Sequence, residues 1–222
     1  MTWKITSQLT SVDGVPVGTP YGGGYVAGFI SHTANGVPTH ALIVAPRATG
    51  ATGTGYTLTT NLQWKTSNTT TTAPDGGWSV FDGRLNTNAI IAAGINDHPA
   101  AKFCVNLSIG GFTDWYLPAR AELDIAYFSL KPTTDTNNTS SGTNIYAVPG
   151  RSSNYTAGYP LKTTITAFDI GAESFVSFYH WTSNDFSNSA WSMDYRIGQQ
   201  ISFFGMGKTD SLRVRAFRRI AL

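Results

Sequence analysis

The sequence predicts an α+β fold in which strands and long loops outnumber helices. Thr, Ser and Asn together make up 62 of the 222 residues, 23 residues are glycine and 13% are aromatic. β-branched and aromatic residues favour strands, whereas a helical bundle would be richer in Ala, Glu, Lys and Leu. Two segments with helical spacing and several with strand-like patterns complete the prediction. The length allows one large domain or two small ones.

The first strands are predicted near the N-terminus. Residues 21–31 and 40–46 are β-prone apolar runs, and a turn-like NGVP lies between them at 35–38. This arrangement predicts a β-hairpin. We expect residues 1–60 to form a small β-rich attachment segment, which is either separate from residues 61–222 or part of the same domain.

Two helices are predicted in the middle of the chain, with a weaker third. The first covers 97–107, where Asp97 is a candidate N-cap and Pro99 fits the first turn. The second covers 118–130, begins with a proline and has apolar residues at helical spacing. A weaker helical pattern runs through 86–93.

The C-terminal part returns to strand patterns. Apolar and polar residues alternate over 191–197, which predicts a strand with one buried and one solvated face. The buried face would carry Trp191, Met193 and Tyr195. The segment 211–220 predicts a closing strand with Val214 directed inward.

The charge balance gives no electrostatic argument for nucleic acid or an anionic membrane as a partner. The formal net charge is +2, from 15 basic and 13 acidic residues. Four arginines cluster near the end of the chain, and we expect them to pair with carboxylates or cap a terminal strand. They are Arg213, Arg215, Arg218 and Arg219.

Cysteine content and hydropathy predict a protein made in a cytoplasm without membrane insertion. Cys104 is the single cysteine, so no intrachain disulfide can form. The opening MTWKITSQLT lacks the apolar core of a signal peptide, and no run of about 18 apolar residues occurs.

Three blocks of the sequence resemble one known family. GGFTDWYLPARAELDIAY (110–127), YHWTSNDFSNSAWSMDYRIGQQ (179–200) and SLRVRAFRRI (211–220) follow the order and spacing of the Lcl C-terminal domain family. That family is a branch of the C-type-lectin-like fold, close to the formylglycine-generating enzymes. The segment GGYVAGFIS…HALIVAPRATG is similar to what precedes this domain in many tailed-phage virion proteins.

The resemblance implies a fold and a binding region. The fold has two small antiparallel sheets and two helices, with its N- and C-terminal strands side by side. Ligands of relatives bind in the segment that runs from the start of the second block to the last strand, which corresponds to 182–210 here. The candidate ligand-binding residues in or near this region are Asn184, Phe186, Asn188, Asp194, Arg196, Gln199, Gln200, Phe203 and Phe204.

The tryptophans have two possible roles. They could stack on sugar rings, but their positions in the family blocks favour a place in the core. The predicted core residues are Trp115, Leu117, Trp181, Trp191 and Val214.

Metal, cofactor and catalytic roles are not predicted. Asp114 could be an acid or metal ligand, but a structural pairing with Arg120 or a C-terminal arginine fits better. Asn184 and Asp185 are weak candidates for calcium, which needs six to eight oxygens. Cys104 alone cannot supply the cysteine pair that the related oxidases use. We expect neither a metal nor a cofactor, and no enzymatic activity.

From this resemblance we expect a phage virion protein, located on the virion surface, that binds a host-surface glycan or protein. The alternative is a capsid, collar or tail decoration protein whose partners are other virion subunits. Resemblance to phage binding proteins suggests a homotrimer, and we expect no nucleic-acid partner.

Overall fold

The computed structural model describes residues 11–12, 15–52, 61–202 and 206–222, and these form an α+β fold. The strands are β1 (Ser11–Val12), β2 (Val15–Pro16), β3 (Pro20–Tyr21), β4 (Gly24–Ile30), β5 (His40–Val44), β6 (Leu62–Gln63), β7 (Tyr179–Phe186), β8 (Ser189–Asp194), β9 (Gln199–Ile201), β10 (Ser211–Leu212) and β11 (Phe217–Ala221). The helices are α1 (Arg47–Gly50), α2 (Gly83–Ala92), α3 (Pro99–Val105) and α4 (Arg120–Leu130).

The central sheet has the order β11-β5-β4-β3 and is antiparallel throughout. Its β4–β5 pair confirms the hairpin predicted from 21–31 and 40–46. A bulge at Val26/Gly28 interrupts this pair, and Gly28 has a φ of 148°. A Cβ at Gly28 would lie 2.5 Å from the Ile125 side chain, so glycine is required for α4 to approach the sheet closely.

The C-terminal strand joins the first half of the chain to the second. β11 pairs with β5 in the register Phe217↔Val44 to Ala221↔His40. Among the described residues, the hairpin is therefore part of the same structural unit as the C-terminal region. The central sheet thus includes strands from both sides of the 60/61 boundary.

Three smaller antiparallel sheets accompany the central one. The largest is β7-β8-β9, and the other two are the pairs β6–β10 and β1–β2. The described ranges thus contain four sheets rather than the two that the family resemblance implies.

The helices confirm two predictions and correct two others. α3 and α4 lie within the predicted ranges 97–107 and 118–130. The segment predicted as a weak helix forms the ten-residue α2, whose first turn is capped by Asp82 accepting from Leu85 N at 2.8 Å. Asp97 is not the N-cap of α3, because it lies in a preceding 3-10 turn and His98 occupies that position.

Helix α4 begins at a carboxylate that also ties it to α2. Glu122 Oε2 accepts from the backbone N–H of Ala119 at 2.8 Å and of Gly83 at 3.1 Å. Its Oε1 accepts from the Tyr116 hydroxyl at 2.7 Å. The side chain is fully buried, and burial raises the pKa of Glu122 to about 7.

Two hydrophobic clusters lie on opposite faces of the central sheet. Ala41 and Ile43 belong to one cluster, and the alternating Leu42 and Val44 belong to the other. Because both faces of β5 are covered, its sequence is a continuous apolar run. The first cluster also contains four of the predicted core residues, Trp115, Leu117, Trp181 and Val214.

Ion pairs fix the terminal strand, as expected for the arginine cluster. Arg218 holds Asp114 through two contacts, Nε–Oδ1 at 2.7 Å and Nη2–Oδ2 at 3.2 Å. The Asp114 carboxylate therefore has the structural pairing that we favoured. Arg215 pairs with Glu173 at 3.0 Å, and Arg219 pairs with the α2 cap at 2.6 Å.

Truncation of a core tryptophan should be costly. We expect Trp115→Ala to lower the free energy of unfolding by about 3–5 kcal/mol, because it removes a fully buried aromatic side chain and leaves a cavity. Urea denaturation monitored by circular dichroism measures this change. A variant with the wild-type midpoint would contradict the core assignment.

Acid should destabilise the fold through its neutral histidines. Burial lowers the pKa of His180 to about 3 and of His32 to about 4. Below about pH 6.5 the unfolded chain binds protons that the folded chain does not, so stability falls as the pH drops towards these values, by up to about 1.4 kcal/mol per histidine and pH unit.

Urea titrations at pH 7, 6 and 5 test this pH dependence. His180→Gln keeps an N–H donor but does not titrate, so its stability should fall less steeply with acid than that of the wild type. Equal slopes for the two proteins would show that His180 does not contribute.

Candidate recognition surface

Strand β7 is polar in sequence and buried in the structure. Thr182, Ser183, Asn184 and Asp185 are all buried, and each of them is hydrogen-bonded. The Thr182 carbonyl accepts from Trp64 Nε1 at 2.8 Å. These bonds satisfy polar groups that would otherwise destabilise the interior.

Asn184 belongs to this polar interior and not to a ligand-binding surface. Its Oδ1 accepts from the backbone N–H of Arg120 at 3.0 Å, and its Nδ2 donates to the Ser79 carbonyl at 2.8 Å. The side chain is 2% exposed. The prediction that Asn184 contacts ligand is wrong, because both ends of its amide are used to hold α4 and the loop before α2.

Asp185 forms a buried ion pair instead of a calcium site. Its Oδ2 accepts from Lys208 Nζ at 2.6 Å and from Thr71 N at 2.9 Å. Lys208 also donates to the Thr69 carbonyl at 2.7 Å. Within the described ranges, no group of three or more His, Cys, Asp or Glu side chains could hold a metal ion.

Asp194 is also an internal residue. Its side chain is 1% exposed, and its carboxylate accepts from Arg196 Nε at 3.0 and 3.1 Å and from Arg196 Nη2 at 2.6 Å. The prediction of a solvated polar face on β8 is wrong at this end, since Ser192 and Asp194 are as buried as Met193. Arg196 itself is exposed and lies near the rings of Phe178 and Tyr179.

The hairpin between β7 and β8 presents exposed side chains. Phe186 is 46% exposed, and Asn188 lies in the two-residue turn that follows. Ser187 adopts a φ of 56°, the left-handed conformation that a tight hairpin turn requires. The turn therefore projects Phe186 and Asn188 away from the body of the protein.

Trp191 lies beside this turn and is half-buried, so its assignment to the core is wrong. The Phe186 ring meets the Trp191 ring edge to face, with centroids 5.8 Å apart. The Arg120 guanidinium covers the other part of the indole, with its carbon 3.3 Å from the ring centroid. Trp191 is packed by these two partly exposed side chains and not by the apolar clusters.

Gln200 completes the arrangement. Arg120 Nε donates to Gln200 Oε1 at 3.0 Å, and Gln200 Nε2 donates to the Arg120 carbonyl at 3.3 Å. Burial lowers the pKa of Arg120 to about 10, so its guanidinium remains charged at neutral pH. We call Arg120, Phe186, Asn188, Trp191 and Gln200 the Trp191 surface.

The remaining predicted residues fall elsewhere. Gln199 is half-buried and pairs opposite Asp194, at the end of β8 away from the hairpin turn. Arg196 lies at that same end. Phe203 and Phe204 lie outside the described residues. The structure thus brings together Phe186, Asn188 and Gln200 and separates them from the others.

Arg120 is the site residue that sequence reasoning missed. The sequence suggests Arg120 only as a partner of Asp114, and Asp114 binds Arg218 instead. The sequence places Arg120 in the first turn of a predicted helix, but it does not show how α4 packs relative to β8.

The chemistry of the Trp191 surface suits binding. It combines two aromatic rings, a guanidinium and two carboxamides, which offer apolar faces with hydrogen-bond donors and acceptors. The Cys104 thiol is fully buried elsewhere, and burial raises its pKa. No helix among the described residues is long and apolar enough to cross a membrane.

The chain matches no protein-family model, no curated protein and no solved structure.

Trp191→Ala should cost much less stability than truncation of a fully buried tryptophan. We expect a loss of about 1 kcal/mol in the free energy of unfolding, because part of the ring is already in water. Urea denaturation beside Trp115→Ala provides the comparison. Equal losses in the two variants would place Trp191 in the core after all.

Breaking the buried ion pair between Lys208 and Asp185 should strongly destabilise the fold. Lys208→Met leaves the Asp185 carboxylate without its cation, and we expect a loss of about 3–5 kcal/mol. The double variant Lys208→Met/Asp185→Leu should recover part of this stability, since no uncompensated charge remains. If the Lys208→Met variant is as stable as the wild type, the ion pair does not stabilise the position of β7.

Proposed function

We propose that this chain is a non-enzymatic tailed-phage virion protein that binds the host surface through the Trp191 surface. In this proposal, the chain forms a C-type-lectin-like domain of the Lcl C-terminal branch that includes the β4–β5 hairpin, and the ligand is a glycan or protein. The sequence blocks at 110–127, 179–200 and 211–220 support the family, and the α+β architecture with several antiparallel sheets is consistent with it. The protein would lie on the virion surface as a homotrimer that also contacts other virion proteins.

The observation that carries the proposal is a pair of aromatic rings, one exposed and one half-buried, beside the Arg120 guanidinium and the Asn188 carboxamide. Phe186 presents nearly half of its surface to solvent, and Trp191 lies against it. Aromatic faces pack on the apolar faces of sugar rings, and carboxamides such as Asn188 bond to hydroxyl groups. The same combination of aromatic residues and arginine is common in protein-binding hot spots.

The framework beneath the surface is rigid. Asn184 ties β7 to the first residue of α4, and Gln200 ties β9 to the same residue. The Arg120 guanidinium is consequently held in place over the indole before any ligand arrives. Such preorganisation reduces the entropy lost on binding.

Binding of labelled protein to intact candidate host cells tests the proposal. We expect saturable binding that a calcium chelator does not change, because the candidate calcium ligands Asn184 and Asp185 are engaged in internal contacts. Phe186→Ala should weaken binding about tenfold, the effect of losing one interface hot-spot contact, while the thermal midpoint stays near that of the wild type.

Ile170→Ala is the matched control, since Ile170 is 69% exposed and lies outside the Trp191 surface. It should bind like the wild type. Equal affinity for the Phe186→Ala variant would contradict the assignment of this surface.

A separate observation favours the decoration alternative. Val37 and Leu222 are 60% and 55% exposed, and they lie at one end of the central sheet, where Leu222 N donates to the Thr39 carbonyl at 3.1 Å. An exposed apolar pair at a sheet end suits contact with another virion subunit. If the protein binds no cell but binds virions that lack it, and Val37→Asp prevents this, the decoration role is supported instead.

A further inference from the structure

A cavity of about 390 Å³ lies beside α4 and is separate from the Trp191 surface. Its floor is apolar and is formed by Phe29 of β4, Ile125 and Phe128 of α4, and Val148. The volume falls in the range of small-molecule sites, roughly 300–1,000 Å³, which are mostly apolar with a few polar groups. None of the five residues of the Trp191 surface lines it.

The outer wall of the cavity is the segment 159–165, and internal contacts hold this segment in place. The buried Lys131 donates from Nζ to the Pro160 carbonyl at 3.3 Å and to Asn137 Oδ1 at 2.7 Å. Thr163 N donates to the Lys131 carbonyl at 2.9 Å. The cavity is therefore a formed feature of the fold and does not depend on a ligand to open it.

The rim is apolar and exposed. Leu161 is 71% exposed and Tyr159 is 51% exposed, and the Tyr159 ring meets Phe128 edge to face at 5.3 Å. Large apolar side chains that are exposed to water around a concave site indicate a ligand-binding site, because a bound ligand would cover them.

One cation at the rim is available to a ligand. Lys162 lines the cavity and pairs with Asp169 at 3.0 Å, and both side chains are partly exposed, at 33% and 46%. A surface pair of this kind contributes little to stability and can exchange partners at little cost. The other basic residue, Arg151, is committed to Asp124 and to the Gly142 carbonyl.

We propose that this cavity binds a small amphipathic anion, an apolar chain or ring that carries one acidic group. The apolar part lies on Phe29, Ile125 and Phe128, and the acidic group contacts Lys162. Half-exposed Ser129, which follows Phe128 on α4, also lines the cavity. This site is independent of host recognition through the Trp191 surface.

Fluorescence of 1-anilinonaphthalene-8-sulfonate, an aromatic anion, tests the proposal with the full chain. We expect saturable binding of one probe molecule per chain and its displacement by octanoate. Octanamide has the same alkyl chain with an uncharged head group and should displace the probe at concentrations about fivefold higher, the effect of one partly exposed ion pair.

Two variants and a control locate the site. Lys162→Glu should weaken octanoate binding about fivefold or more and leave octanamide binding unchanged. Lys102→Glu makes the same charge change on α3, outside the cavity lining, and should have no effect. Ser129→Phe adds a large side chain to the cavity lining and should abolish probe binding.

The proposal is overturned by any of three results. These are the absence of saturable probe binding, equal displacement by octanoate and octanamide, and equal effects of Lys162→Glu and Lys102→Glu. Melting temperatures show whether the Ser129→Phe variant is folded. If it is not, the Lys162 and Lys102 pair alone decides.

Discussion

The structure depends on a strand that carries polar side chains into the interior. Thr182 to Asp185 on β7 lie between α2, the start of α4 and the segment that contains Lys208, and each contact is a specific hydrogen bond or ion pair. A hydrophobic strand could slide or rotate against its neighbours with modest loss, whereas a buried polar group tolerates only the arrangement that satisfies it. The position of β7 consequently determines where α4 begins, and thereby where the Arg120 guanidinium meets Trp191.

The elements that sequence reasoning identified correctly are those in which apolar residues dominate. The two strands of the hairpin, predicted at 21–31 and 40–46, are apolar runs because both faces of the hairpin are covered. The helix at 118–130 has regular apolar spacing, and eight of its eleven residues in the structure are buried. Helix α2 was underestimated because its buried face includes Asn86 and Thr87, whose roles are hydrogen bonds and not burial of apolar surface.

The errors at the site have one physical origin. Alternation over 191–197 predicts a face in water only if nothing covers it, and the Arg196 side chain lies on the Asp194 carboxylate. The position of Trp191 in a family block favours the core, but the residue lies near the hairpin turn, where the sheet meets solvent. Asn184 was taken for a surface residue because its partners, Ser79 and the backbone of Arg120, are distant in sequence. Such partners emerge only from the tertiary register.

The pairing of β5 with β11 affects how the chain reaches its native state. The two strands lie far apart in the chain, so their contact closes a loop that contains all four α-helices and strands β6 to β10. Loop closure of this length carries an entropic cost before any contact compensates it, and folds dominated by such pairings form slowly. During synthesis the apolar β4–β5 hairpin emerges long before its partner strand, and until then one of its edges is open to other chains. Folding yield should accordingly depend on the concentration of nascent chains and on chaperones that shield that edge.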